Sequence, residues 1–485
     1  MADKVNVKKN TIFNMIKSVA AIVFPMISFP YASRVLLADS LGKVNFANSV
    51  VSFFNLLAGL GIATYAIREC SRVRENKKEL ESVASQLYTI NIYTTVVAYM
   101  CLLMTLLVAR PLEKYRTLIL LLSVTIGLTT IGADWINNVM EDFKFITIRT
   151  VAFQALSVVL LILLVKSPED YLMYAGITVL SNGGANLLNA IYRKKYCKLH
   201  FVKNIDWRKH FPPILLLFSM LIAQTIYVNS DTTILGLVKG DYAVGLYSVP
   251  VKIYNIVQTL VNSVTYAVLP QLSYWFARKN YEKLNPILRY GLSFTVTLGL
   301  PCVVGIIAIA PELIILVAGK EYIEATLSLR ILALALGASF CAGFLGNMIM
   351  IPSGRDRLCM VSSCVSAAAN FLLNIIFIPK WGINAAAATT LLSQILGFLI
   401  KLPFVEKEIS IGNKKGLFLG PVAGSIEIFL VAYCVKLFVS NMMIKLFSIV
   451  FISVVLYGIT LVVTKNDLGL SVLESVKRKC YKNGK

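Results

Sequence analysis

Long apolar runs recur along nearly the whole chain, at about fourteen places. They fall approximately at residues 12–37, 44–66, 85–109, 116–137, 147–166, 168–191, 211–237, 243–269, 286–310, 325–351, 357–378, 381–405, 415–440 and 443–464. Each reaches the roughly 18–20 residues that a helix needs to cross the hydrocarbon core of a bilayer. The runs are continuous and do not alternate at every second residue, and in lipid a backbone must satisfy its own hydrogen bonds. The pattern therefore predicts an all-α, polytopic membrane protein. Short breaker clusters separate some runs: Lys166-Ser167-Pro168-Glu169-Asp170, Pro311-Glu312, Pro352-Ser353-Gly354-Arg355 and Pro379-Lys380-Trp381-Gly382. Each is expected at a membrane surface.

Charge gives the runs a direction. One alternate set of gaps contains Lys4, Lys8, Lys9 and Lys17, Arg68 to Lys78, Lys144 with Arg149, Arg193 to Lys209, Arg278 to Arg289, Arg355 with Arg357, Lys401 to Lys415 and the tail after Lys465. That set holds about 34 of the 47 basic residues, against about 11 in the other gaps. Loops rich in Lys and Arg stay cytoplasmic, so both ends of the chain are expected on that side. The net charge of +22 is spread over many short loops, which fits topology control and contact with anionic lipid rather than nucleic-acid binding.

Composition agrees with this class: of 485 residues, 57% are hydrophobic and 15% charged. The first run is too long for a signal peptide and leads straight into further spans. Nine cysteines, mostly inside predicted helices and without CxxC spacing, read as small packing residues. The two histidines, His200 and His210, lie in a basic loop with no Cys or carboxylate cluster beside them, so no metal site is expected. P-loop, GxSxG and HExxH motifs are missing, as is a soluble domain of more than about 30 residues between spans. An ATP-driven pump does not fit, no cofactor is expected, and transport is favoured over enzymatic chemistry.

A weak internal repeat is visible. Ser33-Arg34-Val35-Leu36 and Gly42-Lys43-Val44-Asn45-Phe46-Ala47-Asn48-Ser49 in the first two spans answer Asp231-Thr232-Thr233-Ile234-Leu235 and Ala243-Val244-Gly245-Leu246-Tyr247-Ser248 in the seventh and eighth, at an offset of roughly 200 residues. Ser181-Asn182 and Ser393-Gln394 recur similarly. Two six-helix lobes of the same orientation are expected, at residues 1–200 and 201–410, with two additional spans at 411–464 and a basic cytoplasmic tail at 465–485.

The stretch Phe29-Pro30-Tyr31-Ala32-Ser33-Arg34, then Gly42 to Ser49 and Tyr65-Ala66-Ile67-Arg68-Glu69, resembles the opening of Wzx-type polysaccharide repeat-unit flippases. Gly132-Ala133-Asp134-Trp135, Phe143-Lys144-Phe145-Ile146-Thr147-Ile148-Arg149, Asn229-Ser230-Asp231, Val244 to Ser248, Leu269-Pro270-Gln271-Leu272-Ser273, Pro352 to Arg355 and Asn384 to Thr389 continue the likeness in order. The resemblance implies the multidrug/oligosaccharidyl-lipid/polysaccharide exporter fold. It also implies transport of an undecaprenyl-diphosphate-linked glycan from the inner to the outer leaflet of a bacterial cytoplasmic membrane, for O-antigen or capsule assembly. Polysaccharide polymerase and chain-length machinery are then expected partners. Gln394 departs from the pattern, standing where many relatives carry an acid, which argues against proton binding there; Ala133 replaces a larger aliphatic residue.

Ionisable groups inside spans are the first functional candidates, because charge in hydrocarbon is costly. Lys252, Arg34 and Arg330 are candidates for a cationic cavity that holds a diphosphate, Arg bidentately and Lys as a point charge. Their structural alternative is snorkelling to the interface. Asp134 and Asp231 are candidates for ion coupling or for ion pairs, Asp231 with Lys252. Asn48, Asn182 and Gln394 are polar cavity candidates; such residues suit helix packing equally well, and Tyr227, Tyr247, Tyr254, Tyr266, Tyr274 and Trp275 suit a belt or packing role. Glu427 and Lys436 are expected to be peripheral. The rival functions are a cation-coupled drug exporter of the same fold, which calls for an acidic cavity, and a membrane glycosyltransferase or polymerase, which calls for a catalytic external loop.

Overall fold

The computed structural model describes residues 7–405, 409 and 414–469. Lys4, the tail beyond residue 469 and the side chain of Tyr266 lie outside the described residues. Among the described residues the regular structure is helical: α1 (Val7–Gly59), α2 (Ile62–Arg72), α3 (Lys77–Val108), α4 (Arg116–Gly132), α5 (Trp135–Val139), α6 (Phe143–Leu164), α7 (Tyr171–Val179), α8 (Ala185–Tyr192), α9 (Trp207–Lys239), α10 (Asp241–Ala277), α11 (Tyr281–Val317), α12 (Thr326–Gly343), α13 (Asp356–Lys401), α14 (Lys414–Phe438) and α15 (Met442–Val463). The all-α membrane class is thereby found. Helix starts follow local chemistry: Asn76, Asp206, Asn280 and Asn441 accept hydrogen bonds from the first-turn amides of α3, α9, α11 and α15.

Among the described residues, ten helical stretches are long and apolar enough to cross a membrane. Two of them, Ile12–Arg72 and Asp356–Phe404, each contain two of the runs read from sequence. Helix α1 is broken at Leu37 (φ 61°, ψ 176°). In α13 the break is Gly382 (φ 56°, ψ −131°), a conformation that a residue without Cβ adopts at least cost. The arms on either side of Gly382 lie against each other, since Ser362 Oγ donates to Gly397 O at 3.0 Å and Thr389 Oγ1 to Asn374 Oδ1 at 2.5 Å. Asn370 and Asn374 are buried in this seam, Asn374 Nδ2 donating to Asn370 Oδ1 at 3.1 Å. The expected sixth span is interrupted: α7 and α8 are joined by a π-turn at Leu180–Gly184 that contains Asn182.

The expected surface break at Pro311-Glu312 is corrected, because both residues lie inside α11. Proline here bends the helix, with non-helical backbone at Ile309 (φ −110°, ψ 18°), and does not end it. Lys436 of α14 donates to Ala308 O and pairs with Glu312, both at 2.8 Å. A proline and an acid in one apolar run thus mark a helix bend and an internal ion pair. Lys436 is correspondingly no loose peripheral cation, and Glu427 accepts from Thr460 of α15 at 2.7 and 2.8 Å.

The chain divides into two compact units, Met1–Ser248 and Val249–Lys485. In the first, Tyr65, Leu87, Ile90, Trp135 and Ile136 belong to one buried apolar cluster. His210 is buried in the first turn of α9, its Nδ1 3.1 Å from Tyr65 Oη. Between α8 and α9 the chain runs as a strap along α3. Glu81, Ser85, Thr89 and Gln86 of α3 accept from the main-chain amides of Lys198 (3.2 Å), His200 (3.4 Å), Val202 (3.0 Å) and Asp206 (3.1 Å). In the second unit, Leu272, Leu284, Leu288, Met348 and Ile349 belong to the corresponding cluster, next to a π-turn at Phe344–Met350.

Candidate translocation site

Within the first unit, the segments that the repeat pairs are in direct contact. Small residues make this possible. A Cβ on Gly42 would lie 2.7 Å from the Asp241 carbonyl carbon, and one on Gly245 would lie 2.5 Å from that of Ala38. Gly236 lets the Phe46 ring approach, where a Cβ would lie 2.7 Å from Phe46 Cε2. Ser49 Oγ and Thr233 Oγ1 are 2.9 Å apart. Asp241 is buried and takes a hydrogen bond from Tyr115 Oη and an ion pair from Lys114 Nζ at 3.0 Å. Asp231, also buried, accepts from Tyr247 Oη at 3.0 Å. The glycines therefore form a zipper between 38–49 and 231–248, and the two acids are held inside it by phenol groups. Arg34 and Asn48 are exposed nearby on α1.

Asp134 lies elsewhere in this unit. Ala133, at φ 46°, ends α4 in the left-handed region, and Asp134 follows as the residue before α5. Its carboxylate pairs with the Arg149 guanidinium of α6, which is buried and also donates to Ala185 O at 3.1 Å. Asn137 bonds Asn189, whose amide in turn donates to Gly132 O at 2.7 Å. Two neighbouring motifs, Gly132–Trp135 and Phe143–Arg149, are thus two sides of one polar lock. Arg149 is a buried member of α6 rather than a solvated loop base. Its place near the start of the 147–166 run is a signal that the neighbouring Lys144 masks.

Two turns before Arg149, Asp142 caps α6. Burial alone raises a carboxyl pKa, yet hydrogen bonds from Tyr196, Tyr192 and the Phe145 amide, with Lys195 close by, outweigh it and lower the Asp142 pKa.

In the second unit α10 carries two polar faces. Tyr254 is buried, and its phenol oxygen accepts from Gln258 Nε2 at 3.1 Å and Gln394 Nε2 at 3.2 Å; Gln258 also bonds Ser339 Oγ at 2.7 Å. This chain ties α10 to α12 and α13 and gives Gln394 a structural partner. Tyr254 and, in the first unit, Tyr247 are hydrogen-bonded core residues, whereas Tyr274 is exposed and stacks on Arg278 at 3.7 Å. The other face holds Lys252, Asn255 and Thr259, at the i, i+3, i+7 spacing that stacks side chains along one side of a helix. Lys252 is half-buried, and Asn255 and Thr259 are exposed. Arg330 is exposed near the start of α12. Among the described residues no group of three or more His, Cys, Asp or Glu side chains is placed to hold a metal ion.

Known proteins resemble this chain throughout. The profile of the family described as polysaccharide biosynthesis protein matches residues 7–276, and that of the MatE family matches residues 216–378. A Shigella dysenteriae protein described as an O-antigen transporter is 22% identical over 72% of this chain and 88% of its own length. The teichuronic acid biosynthesis protein TuaB of Bacillus subtilis is 25% identical over 52% of this chain and 54% of its own. Among solved structures, the lipid II flippase MurJ in an inward closed conformation superposes with a TM-score of 0.77 at 16% identity, covering 94% of this chain and 99% of MurJ. An inward-facing MATE multidrug resistance transporter superposes with a TM-score of 0.60 at 15% identity, over 81% and 97%. The structural likeness establishes the fold, and the profile match over more than half of the sequence establishes the family: this chain belongs to the polysaccharide biosynthesis proteins.

Proposed function

We propose that this protein is a flippase that carries undecaprenyl-diphosphate-linked oligosaccharide repeat units from the inner to the outer leaflet of a bacterial cytoplasmic membrane. Relatives described as O-antigen transporters support the cargo class, and the MurJ-like fold supports the mode of transport. The observation that carries the reading is the Lys252, Asn255, Thr259 face of α10. Such a stripe is costly against hydrocarbon and suits a wet chamber. There a cation meets the diphosphate, and amide and hydroxyl groups meet sugar hydroxyls. Arg330 adds a second exposed cation on the same unit and Arg34 one on the first unit, while Asp134 and Asp231 serve as ion-paired or hydrogen-bonded structural acids.

Transport then proceeds by alternating access. The glycine zipper of the first unit opens and shuts during the cycle, the polyprenyl tail stays in lipid, and the polar headgroup crosses in the chamber. Both chain ends face the cytoplasm, and the polymerase and chain-length machinery receive the cargo outside. Replacing Lys252 with Ala, Gln and Arg in cells that display the glycan tests the chamber. Loss of display and accumulation of lipid-linked glycan with Ala and Gln, rescued by Arg, is expected. Full display with Lys252→Ala removes the residue from the mechanism.

A further inference from the structure

The strap between α8 and α9 carries an arrangement that transport does not use. Tyr93 of α3, Phe201 of the strap, and Trp207 and Phe211 of α9 are all exposed. They nevertheless touch one another, with ring centroids 5.6 Å apart for Tyr93–Phe201, 6.3 Å for Tyr93–Trp207 and 6.0 Å for Trp207–Phe211. Along α3 from Tyr93, exposed Val96, Val97, Met100, Leu103 and Leu107 follow at three- and four-residue steps, so they form one apolar stripe. On α9 Leu215 and Leu216 are likewise exposed, and only 6% of that helix's most apolar window is buried. On the other side of the aromatic cluster Lys198, Lys203, Arg208 and Lys209 are exposed, four bases against the single acid Asp206 in residues 198–209.

Apolar stripe, aromatic cap and cationic rim follow one another along a single face. That order matches acyl chain, glycerol region and phosphate, and the strap's hydrogen bonds to α3 hold the rim in register with the stripe. We propose that this face binds an acidic glycerophospholipid, its chains along α3 and its phosphate against Lys198, Lys203, Arg208 and Lys209. With Glu81 on the Lys198 amide counted beside Asp206, four bases stand against two acids, and the remaining positive charge discriminates against a zwitterionic headgroup.

Native mass spectrometry of the purified full chain, titrated with phosphatidylglycerol or phosphatidylcholine, tests the assignment. A base near an anionic surface contributes about five-fold in affinity. The variant Lys198→Gln/Lys203→Gln/Arg208→Gln/Lys209→Gln is therefore expected to bind phosphatidylglycerol more than ten-fold more weakly, with phosphatidylcholine binding unchanged within about two-fold. The strap is held through main-chain amides, so these substitutions leave its ladder in place. Should the quadruple variant not fold, Lys203→Gln/Arg208→Gln gives the same comparison at smaller scale. Unchanged phosphatidylglycerol binding overturns the proposal, as does an equal loss in Arg278→Gln/Lys279→Gln/Lys283→Gln, which would assign the effect to general surface charge. A glycan-transport defect plays no part in this readout, so failure of the flippase reading leaves it standing.

Discussion

Gly245→Ala is the sharpest perturbation of the zipper. The added Cβ would lie 2.5 Å from the Ala38 carbonyl carbon and 2.8 Å from its Cα, about 1 Å inside ordinary carbon contact. Both neighbours are main chain and have no rotamer to escape into. Overpacking of this kind costs about 1–3 kcal/mol, and here the cost falls on the state in which the zipper is shut. At 1.4 kcal/mol per factor of ten, the shut-to-open ratio should fall about 5- to 150-fold. A Ser49→Cys/Thr233→Cys pair reports that ratio, because the two native oxygens are 2.9 Å apart and a disulfide between them fits a shut zipper. In membrane vesicles, the cross-linking rate with Gly245→Ala should drop at least five-fold at equal protein abundance. Gly305→Ala is the control, since a Cβ there meets nothing within 4 Å. Unchanged cross-linking in Gly245→Ala would falsify the idea that this contact opens.

Arg149→Ala leaves Asp134 without its buried partner and should destabilise the first unit by about 2–4 kcal/mol, read as a lower unfolding midpoint in detergent. Asp134→Asn in the same background should recover part of that loss, and independent, additive effects would show that the pair does not act as a unit. For Asp142 the folded pKa is lowered, so its stabilisation is present above the unfolded carboxyl value of about 3.9 and fades as pH falls through the folded one. Asp142→Asn should therefore reduce thermal stability at pH 7 and converge on the parent protein below pH 4; a constant difference across that range would contradict the ion–phenol account.

Much of the fold is legible in the residues because membrane burial imposes one pattern on each span. Run length and continuity identify the helices, and Gly382 beside Pro379 marks the turn within α13. Pro311 misleads, since a proline within a helix and one ending it look alike until the carbonyls it frees find a donor, here Lys436. Candidate site residues divide along the same line. Lys252 stands out as a charge within an apolar run, whereas Arg149 is hidden by its nearness to a basic loop. The Tyr254–Gln258–Gln394 chain joins α10 to α13 across 136 to 140 positions, and no local pattern announces a contact of that range.

The strap has a consequence for how this sequence can drift over time. Along it the side chains of Glu81, Ser85, Gln86 and Thr89 on α3 accept from peptide amides of the strap, so much of the information that fixes its path is written on α3. Exposed positions such as Lys198, Lys203 and Asn204 can exchange one side chain for another without loss of this ladder, whereas a single insertion or deletion in the strap would put its amides out of step with their acceptors.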